Sequence, residues 1–139
     1  MNLFQSSSVF KLVPIIIKAL LSQKTDGVFP ELGGGDTSYQ GVSLAHLSEI
    51  AMFMDTDTII PALKRGIKWE LTHIKPDGEI EVLGNTRTGL GQEVYYGKPK
   101  EVDGAAVVRA LSEYAALTGD ENTEHTAFMI AGRMHDLKK

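Results

Sequence analysis

The 139-residue chain has no cysteine. That excludes disulfides and thiol chemistry and leaves the compartment open. Positive charge is in deficit: 14 Lys and Arg stand against 18 Asp and Glu, for a net charge of -4. Nucleic-acid modules are usually basic, so no nucleic-acid partner is expected. A run long enough to cross a bilayer is also missing. The longest apolar stretch, residues 9–21, is interrupted by Lys11, Pro14 and Lys18, whereas about twenty apolar residues are needed to span. No positive charge precedes it and no small-x-small site follows, which argues against a signal peptide. The chain as written reads as soluble and cytoplasmic, with no membrane partner, while a secreted or periplasmic full-length relative stays open. His46, His73, His125 and His135 show no ligand spacing, so no metal and no other cofactor is expected.

Hydrophobic content of 42% and charged content of 23% are ordinary for a globular protein. The length suits a single domain over residues 1–139, or a piece of a larger one. Five segments carry helical spacing. Residues 9–23 align Leu12, Val13, Ile16 and Leu20, with Pro14 bending the helix or delaying its start. Residues 38–54 align Leu44, Leu47, Ile50, Ala51 and Met54. Residues 57–74 align Ile60, Leu63, Ile67, Leu71 and Ile74, capped by Asp57 or Thr58 with Pro61 in the first turn. Residues 103–118 align Val107, Val108, Leu111, Tyr114 and Ala115 and end at Gly119. Residues 121–137 align Ala127, Ile130, Ala131 and Met134.

The chain also repeats itself. Leu47-Ser48-Glu49 recurs as Leu111-Ser112-Glu113, an offset of 64 residues (111 minus 47), and Ala51 recurs as Ala115. Upstream, Asp26-Gly27 matches Asp77-Gly78. The unit is a helix, an Asp-Gly turn, a long polar loop, a helix and a tight joint, and such units bury their faces by stacking on neighbours. The expected fold is all-α: antiparallel helical hairpins in an incomplete array of about five helices, with one small β-hairpin. In that hairpin residues 79–83, with Ile80 and Val82 on one face, pair with residues 93–96 across a Gly-rich turn. Gly41, Gly66 and Gly132 fall inside helical patterns, where close helix approach would offset their cost.

The two long loops, residues 24–37 and 75–102, are where function would collect. The first holds Gly33-Gly34-Gly35 and then Asp36-Thr37-Ser38-Tyr39-Gln40 at a helix start. A helix, then Asp26-Gly27, then Glu31, then Ser38-Tyr39 opening the next helix resembles the α/α-toroid polysaccharide lyases of the heparinase and alginate-lyase type. The joint at residues 115–121 is similar to that of these toroids and of the wider six-hairpin glycosidases. The resemblance implies a partial toroid and, if the chain is catalytic, β-elimination on an acidic polysaccharide. Such a reaction needs a base beside the sugar carboxylate and a group that neutralises it. The resemblance offers Tyr39 as base; His46, further along the same helix, is the alternative base or a partner in proton transfer.

Each candidate has a structural reading beside the chemical one. Tyr39 can pack its ring instead of taking a proton. Glu31 and Asp36 can flank a sugar bond as a hydrolytic pair, or Asp36 can cap the helix while Glu31 is solvated. Asn85 and Arg87 can hold a sugar carboxylate through forked hydrogen bonds, or mark a hairpin tip. Tyr95 and Tyr96 offer faces to a sugar ring, one expected in the core and the other at the surface. Trp69 reads as core or interface, and Lys64-Arg65 and Lys138-Lys139 as solvated charge. The functional expectation is a carbohydrate-active or carbohydrate-binding fragment taking an acidic oligosaccharide. The alternative is a non-catalytic helical interaction protein that forms a homo-oligomer through uncovered helix faces.

Overall fold

The computed structural model describes the backbone of residues 3–53 and 56–139, and the side chains of residues 13–53 and 57–139. The fold is all-α with one small two-stranded sheet. The elements are α1 (Leu3–Ser22), α2 (Thr37–Ala51), α3 (Thr56–Leu71), β1 (Val94–Tyr95), β2 (Lys98–Pro99), α4 (Gly104–Thr118) and α5 (Glu121–Leu137). α2 and α4 lie side by side at the centre, with α3 packed on α2 and α5 on α4. Leu44, Leu47, Leu63, Ile67, Val107, Leu111 and Ile130 are the buried apolar centre. Full burial of each such side chain contributes about 1.5–3 kcal/mol.

The helix starts follow from local chemistry. Asp36, Asp103 and Asp120 each accept a bond from the backbone N–H three residues on, at Tyr39, Ala106 and Thr123. Gly119 ends α4 at φ 75°. Several boundaries differ from those read in the sequence. α1 begins at Leu3 and runs through Pro14, so the proline does not delay the start. α3 ends at Leu71, and Ile74 lies beyond it in a bridge to Ile80. Asp57 and Thr58 sit inside α3 instead of capping it. Leu12 and Met54 are outside the described side chains.

The hairpin is relocated. Val94 pairs with Pro99 and Tyr95 with Lys98, so the turn is Tyr96-Gly97. Both turn residues have positive φ, 50° and 76°, as a type I′ hairpin turn requires. Residues 79–81 instead fold back along 73–75: the Glu81 N–H donates to the His73 carbonyl at 2.7 Å and Lys75 N–H to Glu79 at 2.8 Å. The Asp77-Gly78 turn reaches those partners locally, before a distant strand can compete.

The repeat holds in three dimensions: the two Asp-Gly turns are 51 residues apart (78 minus 27) and the helices they dock on are 64 apart. In one copy Lys24 N–H donates to Val28 O (2.8 Å), Gly27 N–H to Lys24 O (2.9 Å) and Val28 N–H to the Asp26 carboxylate (3.1 Å). In the other, Lys75 N–H donates to Glu79 O (2.8 Å), Gly78 N–H to Lys75 O (2.9 Å) and Glu79 N–H to Asp77 (3.0 Å). Each turn docks on the backbone of the next hairpin's second helix. A Cβ added at Gly27 would lie 2.2 Å from the Arg65 carbonyl oxygen in α3, and one at Gly78 would lie 2.5 Å from that of Met129 in α5. Arg65 and Met129 are themselves 64 residues apart, so the same seat is used twice.

Both glycines also have positive φ, 99° and 86°. Gly27→Ala and Gly78→Ala are each expected to destabilise the protein by about 2–4 kcal/mol, from backbone strain plus the clash. Gly33→Ala, at positive φ but with open space around it, should cost about 1 kcal/mol. Chemical unfolding of the three variants checks this. Equal losses at all three would mean that the turns are not seated on the helices.

Candidate functional site

The two long loops meet at one end of the helical array and are knitted together by a single helix start. Asp36, 1% exposed, is the centre of the knot. Its Oδ1 accepts from the Tyr39 N–H (3.0 Å) and the Thr88 hydroxyl (3.0 Å), and its Oδ2 from the N–H groups of Arg87 (2.8 Å) and Thr88 (2.9 Å). Burial by itself pushes the carboxyl up, but these bonds outweigh it and hold Asp36 below the usual carboxylate value. Thr37 is held the same way. Its N–H donates to Asn85 Oδ1 (2.9 Å), it accepts from Asn85 Nδ2 (2.8 Å), and its hydroxyl donates to the Glu81 carbonyl (3.1 Å).

The rest of the motif staples other segments. Ser38 Oγ accepts from Asp103 N–H (2.9 Å) at the start of α4. Gln40, fully buried, accepts from Phe29 N–H (2.9 Å) and donates to the carbonyls of Gly27 (2.9 Å) and Gly66 (3.3 Å). Gly34 and Gly35 leave room for Thr86 and the Trp69 ring, which an added Cβ at either position would meet at 2.7 Å. Trp69 is thus a wall of the knot, and it also stacks on His73. Of Asp36 through Gln40, only Tyr39 is exposed.

These placements revise the roles read from the sequence. Asp36 is the helix cap and is closed to solvent. Asn85 is buried against Thr37, not offered to a ligand. Arg87 is gripped by Glu31 (2.9 Å) and by both oxygens of Glu93 (2.8 and 3.0 Å). A sugar carboxylate would have to displace a glutamate to reach it. Glu31 is therefore an ion-pair partner and not simply solvated. Tyr39 stands at the rim, 36% exposed. His46 is exposed on the same helix, but seven residues on, roughly 10 Å along the axis. It is nearer the far end of α2 than the loop end, too far to share a proton with Tyr39 directly. Tyr95 and Tyr96 are both exposed, edge to face at 4.6 Å. Neither enters the core, because the hairpin projects from the body instead of packing on it.

One group was not singled out in the sequence. Glu70, 0% exposed, lies in α3 with no hydrogen-bond partner for either carboxyl oxygen. Burial, and then the Asp36 charge, pushes its carboxyl well above the ordinary 4.5. The signal was its position: Leu63, Ile67 and Glu70 share the apolar register of α3. Among the described residues no cluster of three or more His, Cys, Asp or Glu is arranged to hold a metal ion. No family model, curated protein or solved structure matches the chain.

Below about pH 4.5 Glu70 is protonated in both folded and unfolded chains. Above it the unfolded chain ionises while the folded protein keeps the proton, so Glu70 lowers stability progressively as pH rises towards its folded value. Asp36 acts oppositely: its contribution is present above its ordinary 3.8 and is lost as pH falls through its lower folded value. Glu70→Gln is therefore expected to narrow the loss of stability between about pH 5 and pH 8, read from urea midpoints. An unchanged difference would mean that Glu70 does not carry a buried proton.

Proposed function

We propose that the chain is a non-catalytic helical interaction module that self-associates through uncovered helix faces. The observation that carries this reading is the exposure of large apolar side chains on the first and last helices: Ile15, Ile17 and Leu21 on α1, Phe128 and Leu137 on α5. A hairpin array buries each unit against the next, and a flank without a neighbour keeps such a face. The loop rim supports the same view from the other side, since its polar groups are engaged with one another. Sedimentation velocity over a hundredfold range of concentration tests the proposal. Concentration-dependent association is expected; a single monomeric boundary throughout would overturn it.

A second reading has one specific observation behind it. Tyr96 is 91% exposed and sits at φ 50°, a conformation costing a non-glycine residue about 1–3 kcal/mol. An aromatic ring held out at a strained tip beside Tyr95 suits a sugar ring. On this reading the protein recognises an acidic oligosaccharide, and if catalytic it acts by β-elimination with Tyr39 as base. Tyr96→Gly should then abolish retardation in polysaccharide affinity gels while leaving the fold as stable or more so. Release of an unsaturated, ultraviolet-absorbing sugar from uronate polymers, lost in Tyr39→Phe, would establish the lyase. Absence of both binding and product would end this reading.

A further inference from the structure

Three glycines lie inside helices α2, α3 and α5, and two of them have a packing reason. A Cβ at Gly41 would meet Val107 at 2.5 Å, and one at Gly66 would meet Leu44 at 2.5 Å. At Gly132 it would meet nothing within 4 Å, so close helix approach within the chain does not account for it. Gly132 is on the outward face of α5, opposite the buried Thr123, Ala127 and Ile130. One turn earlier on that face stands Phe128, 75% exposed. A hollow of about 360 Å³ adjoins them, walled also by Arg133 and Leu137. The helix thus presents a knob and a hole four residues apart.

The charges of α5 are polarised along its length. Glu121 and Glu124 are in its first turn, while His135, Lys138 and Lys139 are at its end. Resting on the assembly reading above, we infer that the partner is a second copy of this chain, paired antiparallel through α5 about a two-fold axis. With the axis passing midway between Phe128 and Gly132, each Phe128 sits over the partner's Gly132. The same register brings Glu121 beside the partner's Lys139, Glu124 beside the partner's His135, and His125 beside the partner's Asp136, each pair occurring twice. The exposed intrachain contacts of Asp136 with His135 (3.5 Å) and Lys139 (3.8 Å) are exchanged for these. Antiparallel packing also sets the helix dipoles in opposition, whereas a parallel pair would stack like charge on like. One patch that carries both knob and hole, and both signs of charge in mirrored order, is self-complementary in the way an isologous dimer requires.

The chain's lack of cysteine makes the register directly readable. Single-cysteine variants Phe128→Cys and Gly132→Cys, purified separately and mixed under mild oxidation, should form the mixed disulfide dimer. Phe128→Cys mixed with Ala105→Cys on α4 should not. In sedimentation, Gly132→Leu should weaken the dimer about tenfold or more, as filling the hole under a central anchor does. Leucine is a good helix former at an outward position, so circular dichroism should show the monomer still folded. An oligomer that survives Gly132→Leu and gives no mixed disulfide overturns the α5 dimer and leaves the assembly reading standing. A monomer at every concentration overturns both.

Discussion

The architecture at the loop end depends on one buried carboxylate. Asp36 is closed to water yet ionised, and this is tolerable only because four donors converge on its two oxygens. Three of those donors come from Arg87 and Thr88, across a loop closure of about fifty residues. The carboxylate therefore caps α2 and anchors the second long loop with the same atoms. Asparagine is a poor substitute, since its amide nitrogen would face N–H donors. The neighbouring Thr37–Asn85 exchange doubles the clasp, and Glu31 with Glu93 fixes Arg87 on its outer side. Each of these groups on its own resembled a ligand contact; together they are one another's ligands.

Much of the fold was legible in the sequence because helices announce themselves locally. Leu44, Leu47 and Ala51, or Val107, Leu111 and Tyr114, report a buried face through spacing alone. The repeated Leu-Ser-Glu and Asp-Gly pairs correctly related the two hairpins. The site was less legible, and the reason is physical. Asp36, Asn85 and Arg87 are polar residues in Gly-rich loops, a composition shared by ligand sites and by loop clasps. Which of the two they form depends on whether Thr37, Thr88, Glu31 and Glu93 come within hydrogen-bond reach, a long-range fact that spacing does not encode. The hairpin was misplaced for a related reason. Alternation in residues 79–83 resembles a strand, but the turn at Asp77-Gly78 supplies nearer partners. Tyr96 at a left-handed position would not be chosen by turn propensity, which favours Asn or Gly there.

The interior glycines separate two kinds of contact. Gly27 and Gly78 admit a turn onto a helix backbone, and Gly41 and Gly66 admit a neighbouring helix, all within the chain. Each loses backbone entropy on folding and recovers it through contact that a side chain would block. Gly132 carries the same cost with open space opposite. Of the three glycines inside α2, α3 and α5, two have a close neighbour and Gly132 has none; on the proposed assembly the missing neighbour is the partner copy, on the face that also exposes Phe128.

Glu70 completes the contrast between the two regions. A buried acid with no partner is destabilising, more so as pH rises, and the adjacent Asp36 has no lone pair left to accept its proton. The loop end must be held tightly enough to keep this group dry. No buried acid weighs on α5, whose outward face is solvated and mixed in charge. A rim whose polar groups satisfy one another has few left to offer a ligand, whereas on the proposed assembly a helix face with an uncovered aromatic gains free energy by burying it. On that assembly, recognition then falls on the flank of the array and not on the loops, whose polar groups are taken up by one another.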